Sequence, residues 1–455
     1  MRPIYSVKFT LQYDVLWVFF MVIRSVSDCL GSLMFAPVLC ALLFLSGNVF
    51  AMVCDDKDSR KDNYIAKHNL LHESNRRWYS IIPLEQDLRF YGTSAALSVA
   101  HNIVTLQMPS GGWRKNISPE CDLLTELDAE ELVRNSADHV FPADSQYHHN
   151  VSTLDNNATH THIRFLLRVA LYYPKPDILL AIDRGIRYLL DAQYKSGGWP
   201  QNFPNLSSYG AYVTFNDGAM VGALRALQEV SSGRFVFLAG ETQAQALAAY
   251  NRGIRYVLDS QVLVGGQKTG WAQQYLPGEG YVPARGRIYE IPAIATKETV
   301  GIIKLLRRVE APSNELKYSV NSAIKWLEWS KLNGLEVQRA FSDTHNKIFT
   351  LRYSEDPAGT VKEHRFDGSM YGYDKTLVPS ENAEPIWAEY YDLSTLKPVY
   401  AGWDGVATYR FEDVDYERRV GYGWFIPHRK VKPVLGRAYP DVIVPDFIPN
   451  RSPTR

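Results

Sequence analysis

Apolar residues recur at helical spacing in three segments of the middle of the chain. In THIRFLLRVALYY, starting at Thr161, one helical face carries Ile163, Leu166, Leu167 and Ala170. The segment GAMVGALRALQEV, which starts at Gly218, is apolar on nearly every side, so we predict a buried helix there. The segment ETVGIIKLLRRV at 298–309 predicts a third helix of this kind.

A second set of predicted helices alternates with the first, and each ends in a recurring phrase. Residues 185–204 read GIRYLLDAQYKSGGWPQNFP, and residues 253–277 read GIRYVLDSQVLVGGQKTGWAQQYLP. A helical pattern that begins near Tyr91 likewise ends at Gly111-Gly112-Trp113. Repeated helix pairs stack to bury a common core, and ring closure hides both ends of a short stack. We therefore predict a mainly α protein, an (α/α)3 toroid over about residues 85–335.

The segments around the toroid differ from it in composition. Residues 336–425 are rich in Tyr, Asp and Gly and alternate in KIFTLRYS, which predicts loops and short strands folded over the toroid. The main domain thus covers about 85–430, with an insertion at about 340–385. Charged and polar residues at 52–84 predict a flexible lead-in, and the Pro-rich residues 431–455 predict an extended tail.

The amino terminus has the pattern of an export signal. From Met34 it reads MFAPVLCALLFLSGNVFA, an apolar stretch with a small-residue end, so we predict a leader over 1–51 and a secreted or periplasmic protein. An upstream run, LWVFFMVI, leaves an uncleaved membrane anchor as the alternative, although neither run alone spans a bilayer comfortably. Cys54 and Cys121 would remain after cleavage, enough for one disulfide.

Charge and aromatic content narrow the class of ligand. The 49 basic residues balance the 49 acidic ones, so nothing favours nucleic acid, and attraction for an acidic ligand must be local. The chain has 28 Tyr, 19 Phe and 10 Trp. Such rings form stacking platforms in sugar-binding clefts, but they also pack large helical cores.

Two acidic positions immediately precede predicted inner helices. One is Asp155 with Asn156 in LDNNAT, and the other is Asn216 with Asp217 in TFNDGAM. Either pair is also explained as a helix N-cap. In a toroid the inner helices can start at the same end of the ring, so both carboxylates can converge on one spot. Oxygen-rich sites of this kind suit Ca²⁺.

Basic residues beside glycine turns and aromatics form the second group of candidates. They are Arg114 and Lys115 in GGWRKN, Arg285 and Arg287 in VPARGRIYEIP, and Arg418 and Arg419 in DYERRVGYGW. A single arginine is more often a solvated surface charge. Several arginines together with calcium in one cleft would suit a polyanionic sugar, because guanidinium forks match carboxylates.

At these residues the chain resembles polysaccharide lyase family 10, the toroidal pectate lyases. The matching phrases run in the family's order from about 107 to 425 and include GGWRKN, LDNNATHTHIRFL, SGGWPQNFP, VTFNDGAMV, RIYEIP, ETVGIIKLL and AGWDGVATYRFEDVDYERRVGYGWF. One phrase departs from the family: Gly402-Trp403-Asp404-Gly405 stands where the family tends to have Gly-Arg-Asp-Gly.

The resemblance implies Ca²⁺-dependent β-elimination on polygalacturonate, which gives 4,5-unsaturated oligogalacturonides. It further implies that Asp155 and Asp217 are calcium ligands and that Arg287 takes the C5 proton, which predicts an alkaline optimum. The implied substrate contacts are Lys115, Asn156 and Arg418, to which we add Arg285 from the basic loop and Trp403 as a ring that stacks on sugar. The expected partner is an acidic polysaccharide, and we expect a monomer without stable membrane insertion.

Two other functions remain open on this evidence. The same toroid can carry a glycoside hydrolase, with Asp155 and Asp217 as its acid and base. It can also carry a non-catalytic glycan-binding protein, in which Trp403 marks a decayed site.

Overall fold

The computed structural model describes residues 87–115, 152–278, 280–341, 349–354, 361–366 and 373–447. All of them lie in one unit of the chain. The predicted leader, the predicted lead-in, Cys54, Cys121 and part of the predicted insertion lie outside these residues, so their assignments stay predictions.

Helix pairs form the body of the described chain, in the alternation that the sequence predicts. The inner helices α2, α4 and α6 pack side by side, and the outer helices α1, α3, α5 and α7 each contact the next outer helix. The bounds are α1 Ser94–Thr105, α2 His160–Ala170, α3 Pro176–Asp191, α4 Ala219–Val230, α5 Gly240–Asp259, α6 Thr296–Leu306 and α7 Asn314–Trp329. Nine of the twelve residues of α4 are buried, so this helix lies in the core as its sequence predicts.

The glutamine in each recurring phrase joins neighbouring outer helices. Its Nε2 donates one hydrogen bond to a carbonyl of its own turn and another to a carbonyl of the next outer helix, at 2.7 to 3.0 Å. The carbonyls on the next helix belong to Ala181 for Gln107, Ala249 for Gln193 and Ser319 for Gln261. A buried carbonyl that is bonded in this way avoids the cost of desolvation. The repeated glutamine is therefore part of the scaffold.

The tryptophan after each turn closes the same repeat. Its Nε1 donates at 2.7 Å to a carbonyl of the preceding outer helix, and its ring is fully buried; the pairs are Trp113 with Ile103, Trp199 with Leu189, Trp271 with Val257 and Trp387 with Leu327. Gly253 of the second GIRY phrase lies against such a ring, since a Cβ there would be 2.7 Å from Trp199 Cζ3. Trp387 belongs to a fourth repeat that the sequence analysis missed, because a strand-forming insertion separates it from α7.

Short strands link the helices and form the region that folds over them. Three strands make one sheet in the order β14, β8, β6, and the others pair in twos, antiparallel throughout. The longest pairs are β9 with β12 and β10 with β11; β10, β11 and β12 lie within the predicted insertion, and β9 leads into it. The strands of the inner repeats are β1 Ser152–Thr153, β2 Asn202–Phe203, β3 Val213–Thr214, β4 Leu263–Val264, β5 Gln267–Lys268, β6 Trp271–Ala272, β7 Gln274–Tyr275 and β8 Ile294–Ala295. The later ones are β9 Leu335–Phe341, β10 Phe349–Ser354, β11 Val361–Phe366, β12 Tyr373–Pro379, β13 Ile386–Ala388, β14 Tyr390–Tyr391, β15 Tyr400–Ala401, β16 Ala407–Thr408 and β17 Phe425–Pro427.

The carboxyl-terminal segment follows two short helices and lies along the last outer helix. These helices are α8 Tyr416–Gly421 and α9 His428–Val431. Beyond them, the buried Asn321 of α7 bonds the backbone of Tyr439 and Val442, and Trp329 packs against Phe447. Among the residues that the structure describes, none of the helices is long and apolar enough to span a bilayer.

Candidate functional site

Two turns with the same backbone conformation precede α2 and α4. They are 3-10 turns at Asp155–Asn157 and Asn216–Gly218, and they contact each other. Their central residues, Asn156 and Asp217, both adopt the left-handed conformation, with φ of 51° and 48°. Asx residues tolerate this conformation better than most. The repeat therefore places the two acidic residues at different positions of neighbouring turns.

Neither Asx pair forms the helix N-cap that was the alternative explanation of these residues. The N-cap residues are Thr159 for α2 and Gly218 for α4, and neither makes a side-chain capping bond. Asp155 is buried, and its Oδ2 instead accepts hydrogen bonds from Lys115 Nζ at 2.9 Å and Gln201 Nε2 at 3.1 Å. The structure thus brings together Asp155 and Lys115, two of the predicted site residues.

Asp217 has a lysine partner that the sequence analysis missed. Its Oδ1 lies 2.5 Å from Lys297 Nζ, on the first turn of α6. Two buried carboxyl groups, those of Glu298 and Glu389, lie beside this lysine. Burial would lower the pKa of Lys297, but the neighbouring carboxylates outweigh it, and the pKa is raised. Burial and the charge of Glu298 raise the pKa of Glu389. The two glutamates therefore favour a state in which Glu389 holds a proton.

The donors at the two turns are of the kind that calcium prefers. Carboxylate and amide oxygens come from Asp155, Asn156, Asn216 and Asp217. Within the described ranges, however, no group of three or more His, Cys, Asp and Glu side chains converges as a metal site. Both acidic residues are also paired with lysine. The chain therefore fits calcium as an incomplete site, which needs oxygens from a ligand and from water.

Arg287 lies in an ion pair whose acid was not predicted. Its Nη2 is 2.5 Å from Glu290 Oε1, its backbone N–H donates to Glu290 Oε2 at 2.9 Å, and Tyr422 donates to the same carboxylate at 2.9 Å. Burial would lower the pKa of Arg287, but Glu290 raises it well above its usual range. Burial would raise the pKa of Glu290, but Arg287 lowers it. In this arrangement Arg287 is a cation.

Arg418 lies next to Arg287 in an aromatic cluster. Its guanidinium carbon is 4.8 Å from the centroid of the Tyr289 ring and 4.5 Å from that of Trp403, while that of Arg287 is 5.1 Å from Tyr289. Such cation–π contacts favour a positively charged group. The ring of Trp403 therefore lies against Arg418. Arg285 is not part of this cluster: it is exposed and donates to the carbonyl of Ile288.

A chain of buried glutamines joins the acidic turns to the arginine cluster. Gln201, which bonds Asp155, lies next to Gln274, whose Nε2 bonds Thr214 Oγ1 at 3.1 Å. The backbone at Gly286 fits between Gln274 and Glu290, since a Cβ there would be 2.5 Å from Gln274 Oε1 and 2.6 Å from Glu290 Oε2. Asp155 and Arg287 thus belong to one continuous polar site. Both glutamines follow a repeat tryptophan by two or three residues, a signal that the sequence contains.

Comparisons with known proteins agree with this architecture. The family model described as pectic acid lyase matches residues 107–358 and 354–430. A family 10 polysaccharide lyase from Cellvibrio cellulosa is similar in structure, with a TM-score of 0.57 and 22% identity over 77% of this chain and 94% of that one. A mutant of the same enzyme, in complex with trigalacturonic acid, gives a TM-score of 0.56 at 22% identity. No match is found among the curated proteins. The structural likeness confirms the (α/α)3 toroid.

Proposed function

The chain belongs to the pectic acid lyase family and is a polysaccharide lyase, and on this premise we propose that it cleaves polygalacturonate by calcium-dependent β-elimination. The observation that supports the proposal most strongly is the continuity of the site. Gln201 and Gln274 link the acidic turns to Glu290 and Arg287. One substrate can then contact both the acidic turns, which would bind the cation, and Arg287.

In the proposed reaction Arg287 first loses a proton to solvent and then, as the neutral base, takes the proton from C5 of a galacturonate unit. The C5–H bond breaks, a C4–C5 double bond forms, and the C4–O bond to the leaving sugar breaks, while solvent supplies the proton of the new hydroxyl group. Glu290 fixes the orientation of the guanidinium through Nη2. Because the same carboxylate keeps Arg287 charged, proton transfer needs the nearby positive charge of Arg418 and a high pH.

The acidic turns would hold the metal. Bound calcium would draw electron density from the substrate carboxylate and make the C5 proton more acidic. Asp155 and Asp217 would supply two carboxylate ligands, and Asn156 an amide oxygen. For this, Lys115 and Lys297 must exchange their carboxylate partners for other ones. The substrate carboxylate is the natural new partner of Lys115.

The surroundings of the acidic residues disfavour a hydrolase. A glycoside hydrolase needs one carboxylic acid that holds a proton and a second carboxylate across the scissile bond. Asp155 Oδ2 and Asp217 Oδ1 are each bound by a lysine ammonium group, which occupies the oxygen that an acid or base would present to a glycosidic bond. We therefore keep hydrolysis and simple glycan binding as the outcomes that the experiment must exclude.

The proposed substrate also bears on location and assembly. Polygalacturonate is a polymer outside the cell that makes it or degrades it, so we propose that the protein acts after export, in the periplasm or the medium. We propose that it acts as a monomer on an acidic polysaccharide, with Lys115, Asn156, Arg285, Trp403 and Arg418 contacting the sugar chain.

The test is the ultraviolet absorbance of polygalacturonate during digestion, since only elimination creates a conjugated double bond. We expect absorbance to rise, to stop with EDTA and to return with added calcium. Arg287→Ala should lower kcat by about 10²–10⁴-fold, the usual contribution of a positioned proton-transfer group. Arg187→Ala, which removes an exposed arginine of α3, is the matched control.

Each alternative has its own outcome in this assay. New reducing ends without absorbance would identify a hydrolase. Binding of the polymer without any product would identify a glycan-binding protein. Near wild-type absorbance with Arg287→Ala would refute the role of Arg287, and a rate that peaks below neutral pH would refute an arginine base.

A further inference from the structure

The inner helices carry a second cluster of charged residues, which includes no residue of the acidic turns. It contains Arg164 and Arg168 of α2, Arg225 and Glu229 of α4, and Arg308 just after α6. Asp155 and Asp217 precede the amino-terminal ends of α2 and α4, whereas these residues lie at least one helical turn further along the chain. Burial and the charges of Arg164 and Arg225 lower the pKa of His160, the first residue of α2, to about 3, so the cluster reaches back to the start of this helix.

One carboxylate serves two of these arginines. Glu229 Oε1 accepts hydrogen bonds from Arg164 Nε at 3.0 Å and Nη2 at 2.5 Å, and Glu229 Oε2 accepts one from Arg168 Nη1 at 2.8 Å. The two guanidinium groups therefore occupy both oxygens of Glu229.

The other two arginines have no such carboxylate in the described part of the chain. None of the ion pairs found there includes Arg225 or Arg308, and Arg225 Nε is buried without a hydrogen-bond partner. Burial, together with the charges of Arg308 and Arg164, lowers the pKa of Arg225 to about 10, and the carboxylate of Glu229, which forms no ion pair with Arg225, offsets this only in part. With four arginines and one glutamate, the cluster carries a formal charge of 4 − 1 = +3.

Protein groups compensate this charge only in part. The carboxyl-terminal ends of helices favour cations, but each contributes only about half an elementary charge and acts within its last turn. A buried guanidinium without a hydrogen-bonded anion is costly. The side chain of Arg308 is exposed, so there is room beside the cluster on the solvent side. The cluster thus offers both charge and nearby room.

We propose that Arg164, Arg168, Arg225 and Arg308 form a binding site for a small oxyanion of the phosphate or sulfate class. Guanidinium groups donate paired N–H bonds that match oxyanion oxygens. A bound oxyanion gives Arg225 Nε a hydrogen-bond acceptor and offsets the repulsion among the arginines. Binding therefore stabilises the folded protein. The site is independent of the proposed lyase reaction, because no residue of the acidic turns or of the Arg287 cluster belongs to it.

Thermal unfolding with phosphate, against chloride at equal ionic strength, tests the proposal on the full chain. At saturating phosphate we expect the Tm to rise by about 3 °C or more, because a ligand that binds only the folded state stabilises it by mass action. Sulfate should act in the same way. Calorimetric titration with phosphate should show one site. A Tm in phosphate equal to that in chloride would overturn the proposal.

Two variants separate binding from a structural role. Arg225→Met should raise the Tm in chloride, because it removes a buried charge, and should abolish the response to phosphate. Arg308→Met changes an exposed side chain and should weaken phosphate binding about tenfold while the fold is kept. Arg187→Met, on outer helix α3, should respond as the wild type does. If Arg308→Met also responds as the wild type, or if Arg225→Met lowers the Tm in chloride and still responds, the proposal is wrong.

Discussion

Each acidic residue of the proposed calcium site is paired with a lysine. Lys115 Nζ lies 2.9 Å from Asp155 Oδ2, and Lys297 Nζ lies 2.5 Å from Asp217 Oδ1. An ammonium group that is already held by a carboxylate competes with an incoming cation for the same oxygen. At the scale of single residues, we therefore expect the lysines to weaken cation binding when no substrate is present.

Lys297→Met tests this competition without any measurement of activity. Removing the ammonium group should tighten Ca²⁺ binding in the absence of polysaccharide by about tenfold, since about 1.4 kcal/mol of competing interaction corresponds to that factor. Calorimetric titration with Ca²⁺ gives the affinity. Lys331→Met, which removes another ion-paired lysine, is the control. Weaker Ca²⁺ binding would instead mean that Lys297 holds Asp217 in position.

Trp403 is the residue at which this chain departs from the pattern that its family resemblance led us to expect. Its ring lies 4.5 Å from the guanidinium carbon of Arg418 and edge-on to Tyr289. An indole has no paired N–H groups with which to bind a carboxylate, so any contribution to charge recognition goes through Arg418. The stacking of this ring on sugar stays a prediction.

At the scale of elements, the insertion is tied to the proposed site. β12 bonds the segment of α8 that carries Arg418: Asp374 accepts two hydrogen bonds from Arg419, at 2.8 and 2.6 Å. Next to it, Lys375 Nζ donates to the carbonyls of Val420 at 2.6 Å and Tyr422 at 3.1 Å. The β9–β12 ribbon thus supports the backbone on either side of Arg418 and Tyr422, the residues that neighbour the Arg287 cluster.

The partly buried Lys375 should make stability depend on pH. Burial, followed by the charges of Arg339 and Arg418, lowers its pKa to about 8. Between that pH and the ordinary lysine value of about 10.4, the unfolded chain binds more protons than the folded one, so the free energy of unfolding rises with pH. Over this window the wild type should gain about 1–3 kcal/mol relative to Lys375→Met.

Urea unfolding of both proteins from pH 7.5 to 10.5 measures this difference. Lys331→Met, beside exposed Glu328, should run parallel to the wild type. A difference between Lys375→Met and the wild type that stays constant with pH would show that Lys375 acts only through its hydrogen bonds.

At the scale of the whole molecule, the carboxyl-terminal segment covers the last outer helix. Asn321 is 3% exposed and makes three hydrogen bonds to this segment, from Nδ2 to the carbonyls of Tyr439 and Val442 and from the N–H of Tyr439 to Oδ1. Lys325 and Lys317 add ion pairs to Asp446 and Asp441. The segment is thus held by one buried amide together with ion pairs at the surface.

Asn321→Ala should therefore destabilise the protein and release the segment. Loss of three hydrogen bonds, two of which leave carbonyls without a partner, should cost about 2–3 kcal/mol. Urea unfolding and the rate of proteolysis after residue 437 measure the two effects. Asn314 is exposed on the same helix, so Asn314→Ala is the control. It should leave both the free energy of unfolding and the rate of proteolysis nearly unchanged. Unchanged proteolysis would show that other contacts hold the segment.

The helix pairs and the candidate turns were determined by the sequence itself. Their apolar periodicity, the Gln and Trp of each repeat and the Asx pairs before α2 and α4 are local, because a helix face or a turn depends on residues a few positions apart. Those patterns predicted the toroid without reference to any contact. The resemblance then pointed to Asp155, Asp217 and Arg287, whose roles stay predictions.

Only the tertiary structure decided which partners these residues have. Glu389 lies near Lys297, Gln201 bonds Asp155 from 46 positions away, and Trp387 bonds the carbonyl of Leu327 from 60 positions away. The sequence shows that a residue is charged, but not whether packing exposes it or buries it beside a like charge. Arg225, for example, is partly buried near the charge of Arg308. Long-range packing sets burial and neighbours, and these set the charge state of each site.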